Sequence, residues 1–168
     1  MKIGIVSDTN DEGERTALAV AMLIDAGAEV LVHCGDITLP DVVARCSGLP
    51  GYYVFGNNDF DEPGLPAAMA GAGGVCLERG GIIEVGGRRI AVTHGDSARE
   101  ARRLLGLNPD LFLYGHSHQA ADVGREGVRW INPGALHRAS RWTVAVLDLA
   151  DDSLDFLAVN DRGRAGKG

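Results

Sequence analysis

The sequence predicts an α/β protein of two β-sheets with helices outside them, and three observations carry that prediction. The 168 residues are 45% hydrophobic, 23% charged and 5% aromatic, the make-up of one ordinary globular domain. A chain this long buries roughly 70% of its unfolded surface and needs no staples. Short runs rich in Val, Ile and Tyr at 2–7, 29–33 and 51–55 alternate with helix-compatible stretches at 12–26 and 41–46. That β-α-β-α-β rhythm implies a parallel sheet. After Pro63 the rhythm gives way to a succession of strands, hence a second sheet.

Each element has a local reason. Asp11 and Glu14 stand at capping-box spacing before the first helix, and Gly27 sits where its C-terminal cap belongs. Residues 65–74 are small and Gly-rich, compatible with a lid, a short helix or a mobile loop. Strands at 82–85 and 88–93 flank Gly86-Gly87, which suits the positive φ angles of a tight hairpin. A helix at 97–105 opens on a Ser97 cap, and a strand at 110–114 follows. Residues 120–123, 128–131, 143–149 and 154–159 complete the strands. The sequence is read as one domain over 1–161, with 162–168 a small, charged tail expected to fray.

Composition excludes several classes. Sixteen basic against 23 acidic residues leave a net charge of −7, which disfavours nucleic acid, and basic faces studded with aromatics are lacking. Cys34, Cys46 and Cys76 are odd in number and lack CxxC spacing, which points to a reducing, cytoplasmic compartment. The apolar run 17–24 is too short to span a bilayer. No GxxxxGK[ST] loop or GxSxG elbow occurs, and Cys34 reads as a packing residue.

The chemistry follows the strands. Five apolar runs deliver, just past their ends, Asp8, Asp36, Asn57, His94, and the pair His116 and His118. In an open α/β sheet the carboxyl ends of strands share one rim, where ligand sites collect. Carboxylate, amide and imidazole donors without thiolate suit Mn²⁺, Fe or Zn²⁺. Taken singly, Asp8, Asp36 and Asn57 are as well explained as turn or cap residues. Two imidazoles flanking Ser117 are not asked for by turn chemistry, and they read as ligands that can splay to separate metals. His33, on an apolar strand, reads as a hydrogen-bonded structural or supporting residue. His137 and Arg138 read as surface-loop residues, with Arg138 able to reach a phosphate.

These motifs, Asp8-Thr9-Asn10, Gly35-Asp36, Gly56-Asn57-Asn58-Asp59, Thr93-His94-Gly95, Gly115-His116-Ser117-His118 and Ile131-Asn132-Pro133-Gly134, resemble in order those of the calcineurin-like metallophosphoesterases, especially the small YfcE-like phosphodiesterases. The resemblance spans nearly the whole chain. It implies a four-layer α/β/β/α sandwich of two mixed sheets flanked by helices. It also implies two divalent metals, Mn²⁺ first with Fe, Zn²⁺ or Ni²⁺ as substitutes. One would take Asp8, Asp36 and His118, with Asn10 beside it. The other would take Asp36, Asn57, His94 and His116, so that Asp36 bridges.

Three positions depart from the family pattern. Asn10 replaces a His and is a poorer ligand for borderline metals. Asn58 replaces a His that protonates the leaving group; it is placed near the phosphate but is no useful acid. Asp96 stands where many relatives have a second His, and could orient His94, ligate, or repel a highly anionic substrate. The implied function is a phosphodiesterase acting on a small phosphate ester through a dimetal-bridging hydroxide, with Asp36 and Asn58 at the chemistry. The alternatives are a binding scaffold that has lost catalysis and a phosphomonoesterase or nucleotide phosphatase. A homo-oligomer is left open, and no membrane partner is expected.

Overall fold

The computed structural model describes residues 1–59 and 63–160, so the expected frayed tail at 162–168 lies outside the described residues. The chain runs β1 (Lys2–Val6), α1 (Gly13–Asp25), β2 (Val30–His33), α2 (Pro40–Arg45), β3 (Gly51–Tyr53), α3 (Leu65–Gly71) and β4 (Gly74–Cys76). It continues with β5 (Gly80–Val85), β6 (Arg88–Thr93), α4 (Ala98–Leu105), β7 (Leu111–Leu113), β8 (Ala121–Arg125), β9 (Val128–Asn132), β10 (Thr143–Asp148) and β11 (Leu154–Ala158). The first sheet has the order β11-β10-β1-β2-β3-β4 and the second β5-β6-β7-β9-β8. Both are mixed. Strands β1 to β4 run parallel while β10 lies antiparallel to β1. In the second sheet β6, β7 and β9 are parallel, and β5 and β8 are antiparallel.

Three layers of buried side chains separate four layers of structure. Alternation along β1 sends Ile3 and Ile5 to one face and Val6 to the other. Ile3, Ile5, Val32, Ala145 and Leu147 of the first sheet meet Ile83, Ile90, Val92, Leu111, Leu113 and Ile131 of the second. On the far side of the first sheet, Leu31, Tyr53 and Val144 pack against Ala19, Val20 and Leu23 of α1, Val42 and Val43 of α2, and Leu65 and Met69 of α3. Outside the second sheet, Ala91 and Phe112 meet Leu104 of α4, and Phe112 stacks on Trp130 at 3.8 Å between centroids. This is the predicted α/β/β/α sandwich. No described helix is long and apolar enough to cross a membrane.

Local chemistry was mostly legible. Ser97 caps α4 by accepting from the Glu100 amide, and Gly86 and Gly87 turn the β5–β6 hairpin at φ 57° and 75°. Gly27, at φ 90°, follows α1, with the Gly27 and Ala28 amides donating to Ile24 and Leu23 in a Schellman pair. The expected Asp11–Glu14 capping box does not form. Glu12 is the N-cap of α1, without side-chain capping, and Glu14 turns to Arg45 at 3.5 Å. The helix starts one residue later than the box requires, after a turn in which the Asn10 amide donates to the Asp36 carbonyl and the Glu12 amide to the Thr9 carbonyl. Residues 65–74 resolve into α3 and the start of β4, a short parallel strand that composition did not announce.

Candidate metal centre

Asp8, Asp36 and Asn57 follow β1, β2 and β3 of the first sheet; His94, His116 and His118 follow β6 and β7 of the second. The first sheet therefore contributes oxygen donors and the second contributes imidazoles. The structure brings all six together. One atom each of Asp8, Asp36 and His94 lie within 4.8 Å of one another. His94 Nε2 is 3.1 Å from Asn57 Oδ1, 3.5 Å from Asp36 Oδ2 and 3.3 Å from His116 Nδ1. His118 Nε2 is 3.1 Å from Asp8 Oδ1.

The backbone bends sharply to achieve this. Asp8, Asn10, Asp36, His116 and His118 all adopt the left-handed region, with φ between 45° and 66°. Asp, Asn and His tolerate that region best among residues with a Cβ, yet its concentration at one rim marks a site held in place by its surroundings. Close approach of loops does part of the holding. A Cβ on Gly56 would collide with Asp36 Oδ1, and one on Gly115 would collide with Ser7 Oγ and come within 2.8 Å of Asp8 Oδ2.

Hydrogen bonds fix which atoms are free. His94 Nδ1 is 2.8 Å from the Cys34 carbonyl, so Nδ1 carries the proton and Nε2 offers a lone pair to the site. His118 Nδ1 sits 3.3 Å from the Arg138 carbonyl, which leaves its Nε2 in the same role. Asp8 Oδ2 accepts from Ser7 Oγ at 2.6 Å and from the His116 amide at 3.0 Å, while buried Asp8 Oδ1 has no hydrogen-bond donor. Burial raises the Asp8 carboxyl above its ordinary pKa, with His94, Ser7 and His118 pulling the other way. Buried Asn10 Oδ1 also lacks a donor. Lone pair thus faces lone pair at Asn57–His94 and at Asp8–His118. Such pairs are repulsive unless a proton or a metal cation lies between them, and carboxylate, amide and imidazole donors together fit a divalent metal ion.

Asn58 is tied to Asp36, donating from its amide nitrogen to Oδ1 at 3.0 Å and from Nδ2 to Oδ2 at 2.7 Å. Its side chain also lines a cavity of about 300 Å³ with Asn10, Asp36, Thr38, His118, His137 and Arg138. His137 and Arg138, expected on a surface loop, therefore border the centre itself. Asp96 turns to Arg79 at 3.4 Å and not to His94. His33 is buried as expected, with Nδ1 accepting from the Gly35 amide at 3.1 Å and Nε2 3.0 Å from Thr9 Oγ1. Cys34 is fully buried and its thiol pKa is pushed up by burial, in keeping with packing.

Two residues that stand in the quoted motifs take supporting roles that the sequence did not assign. Asp59 is buried and accepts from the Ile37, Thr38 and Gly56 amides at 2.7 to 2.8 Å, which pins the Asp36 loop to the Asn57 loop. Asn132 donates to the Gly115 carbonyl and to Ser117 Oγ, bracing the His116–His118 turn. Asn132-Pro133-Gly134 is a turn sequence, and the Gly134 amide does bond Asn132 Oδ1. That local signal was readable; its service to a distant loop was not.

A sequence profile of the calcineurin-like phosphoesterase superfamily domain matches residues 1–152. The chain belongs to the calcineurin-like phosphoesterase superfamily. A superfamily relative, a phosphodiesterase of Methanocaldococcus jannaschii, is 30% identical over 139 residues, covering 80% of this chain and 83% of its own. The fold is shared with a structure described as a novel archaeal phosphodiesterase, at TM-score 0.85 and 24% identity over 94% of this chain and 99% of the other. It is shared too with YfcE, a phosphoesterase from E. coli, at TM-score 0.65 and 19% identity over 95% and 100% of the two chains.

Proposed function

We propose that the protein is a metal-dependent phosphodiesterase that cleaves a small phosphate diester at this rim. The observation that carries the reading is the pair of facing acceptors, Asp8 Oδ1 with His118 Nε2 and Asn57 Oδ1 with His94 Nε2. We assign Asp8, Asp36 and His118, with Asn10 alongside, to one cation, and Asp36, Asn57, His94 and His116 to the other. Oxygen and imidazole donors suit Mn²⁺, Fe and Zn²⁺ alike, and we take Mn²⁺ first, with Fe, Zn²⁺ or Ni²⁺ as substitutes. Bound there, two dications supply Lewis acidity, neutralise phosphoryl charge and make water a better nucleophile near neutral pH. The preference for diesters is supported by the phosphodiesterase relative.

The chain's own part is positioning. Asn58 holds both Asp36 oxygens, and Asp59 fixes the loop beneath. Arg138, on the cavity wall, offers a guanidinium to a phosphate oxygen. Free Cys34, Cys46 and Cys76 support a reducing, cytoplasmic setting.

The test strips the protein with EDTA and assays bis(p-nitrophenyl) phosphate before and after adding Mn²⁺. Activity falls to background and returns with the metal, and Asp36→Ala stays at background. Metal-independent turnover, or wild-type rates in Asp36→Ala, overturns the assignment. Faster turnover of p-nitrophenyl phosphate transfers it to phosphomonoesters.

A further inference from the structure

Phosphodiester cleavage with a poor leaving group needs a proton donor, and Asn58 is not one: its amide has no useful acidity and is spent on Asp36. On the same cavity wall stands an imidazole that the ligand set does not use. We infer that His137 is the general acid that protonates the leaving oxygen, an inference that rests on the phosphodiesterase reading above.

The placement is built from a chain of contacts. His137 lines the cavity with Asp36, Asn58 and His118. Its Nδ1 is 3.3 Å from Glu12 Oε1, so that nitrogen donates to the carboxylate and Nε2 is left as the transferable position. Glu12 Oε1 is itself held 3.0 Å from Arg15 Nη1. Arg15 is buried, lies 3.4 Å over the Trp142 ring centroid and donates to the Leu136 carbonyl, next to His137 in the chain. The Leu136 amide in turn donates to the Asp8 carbonyl at 3.2 Å. The loop bearing His137 is therefore tied to the residue bearing a metal ligand, and the imidazole is oriented by a carboxylate that a buried guanidinium immobilises. A rim histidine with no task does not need that support.

The proton balance is simple. A hydroxide oxygen bonds to phosphorus, the bond from phosphorus to the ester oxygen breaks with its electron pair going to that oxygen, and the proton on Nε2 passes to it. An alcohol leaves, a phosphate monoester remains, and the neutral imidazole regains its proton from bulk water. Glu12 and Arg15 act through His137 and are positioning residues.

Methyl aryl phosphates graded from p-nitrophenol to unsubstituted phenol test this, with the Mn²⁺-loaded full chain. In His137→Gln, kcat falls about 100-fold on the phenyl ester and only a few-fold on the p-nitrophenyl ester, because the better leaving group needs less help. Glu12→Gln shifts the same slope in the same direction by less. Manganese content by elemental analysis stays at the wild-type value in both. Equal losses across the series, or loss of manganese in His137→Gln, overturns the inference and assigns His137 to binding or ligation. Should wild type fail on every ester, the phosphodiesterase reading falls instead, so the two failures are distinguishable.

Discussion

His33 is fully buried, and burial first, with His94 nearby adding to it, pushes its pKa down from 6.5 to about 3. In the unfolded chain the ring takes up a proton near pH 6.5, whereas in the folded chain it stays neutral. The folded state therefore has full stability from this residue above pH 6.5 and loses it as the pH falls toward 3. Urea unfolding of the metal-stripped protein between pH 8 and 5 checks this. His33→Gln is less stable at pH 8, having lost its Thr9 and Gly35 partners, but its stability falls less steeply on acidification; parallel curves refute the assignment. At this scale the sequence was informative where a residue follows a strand end, as with His116 and His118, which the structure brings to the rim beside His94 and Asp8. It read His137 as a surface-loop residue, because the Glu12 partner lies 125 residues away. Nothing local distinguishes a loop histidine from a cavity histidine until the fold closes that distance.

The loops that carry the ligands depend on glycines for contact and not for flexibility. Gly56→Ala forces the new methyl into Asp36 Oδ1. It should destabilise the protein by about 1–3 kcal/mol and lower Mn²⁺-dependent activity more than tenfold. Gly71→Ala is the control, since its added Cβ meets nothing within 4 Å at the end of α3, and it should be neutral or stabilising in the same thermal and kinetic assays. Equal behaviour of the two variants would show that Gly56 has no special constraint. Elements with strong periodicity, such as β1, β2 and α1, could be read from residues alone. The strand β4 could not, because Gly74–Cys76 has only three residues and owes its state to pairing with β3. The capping box failed for the complementary reason: its spacing was right, but the turn beside the Asp36 loop starts the helix one residue later, with Glu12 in the N-cap place.

Over the whole molecule, the centre joins two sheets, with oxygen donors from one and imidazole nitrogens from the other. Cations that bind only the folded chain stabilise it by mass action, about 2.7 kcal/mol at a hundred times Kd. Saturating Mn²⁺ should accordingly raise Tm by about 5–10 °C over the EDTA-treated protein. An unchanged Tm would mean that the rim holds no metal. The two-sheet plan was visible in the change of rhythm after Pro63, while the layer between the sheets, where Val54 meets Ile83 and Val92, required the tertiary packing. Strand β1 is also central: Ile3 pairs with Val30 on one side and Leu147 on the other. During synthesis, then, one flank of this apolar strand waits for residues made some 140 positions later, an open template for other chains to adhere to. Because Asp8 sits at the end of that strand, truncation before β10 would leave both the adhesive flank and an unsupported rim aspartate, so nascent chains stalled there should precipitate and bind no metal.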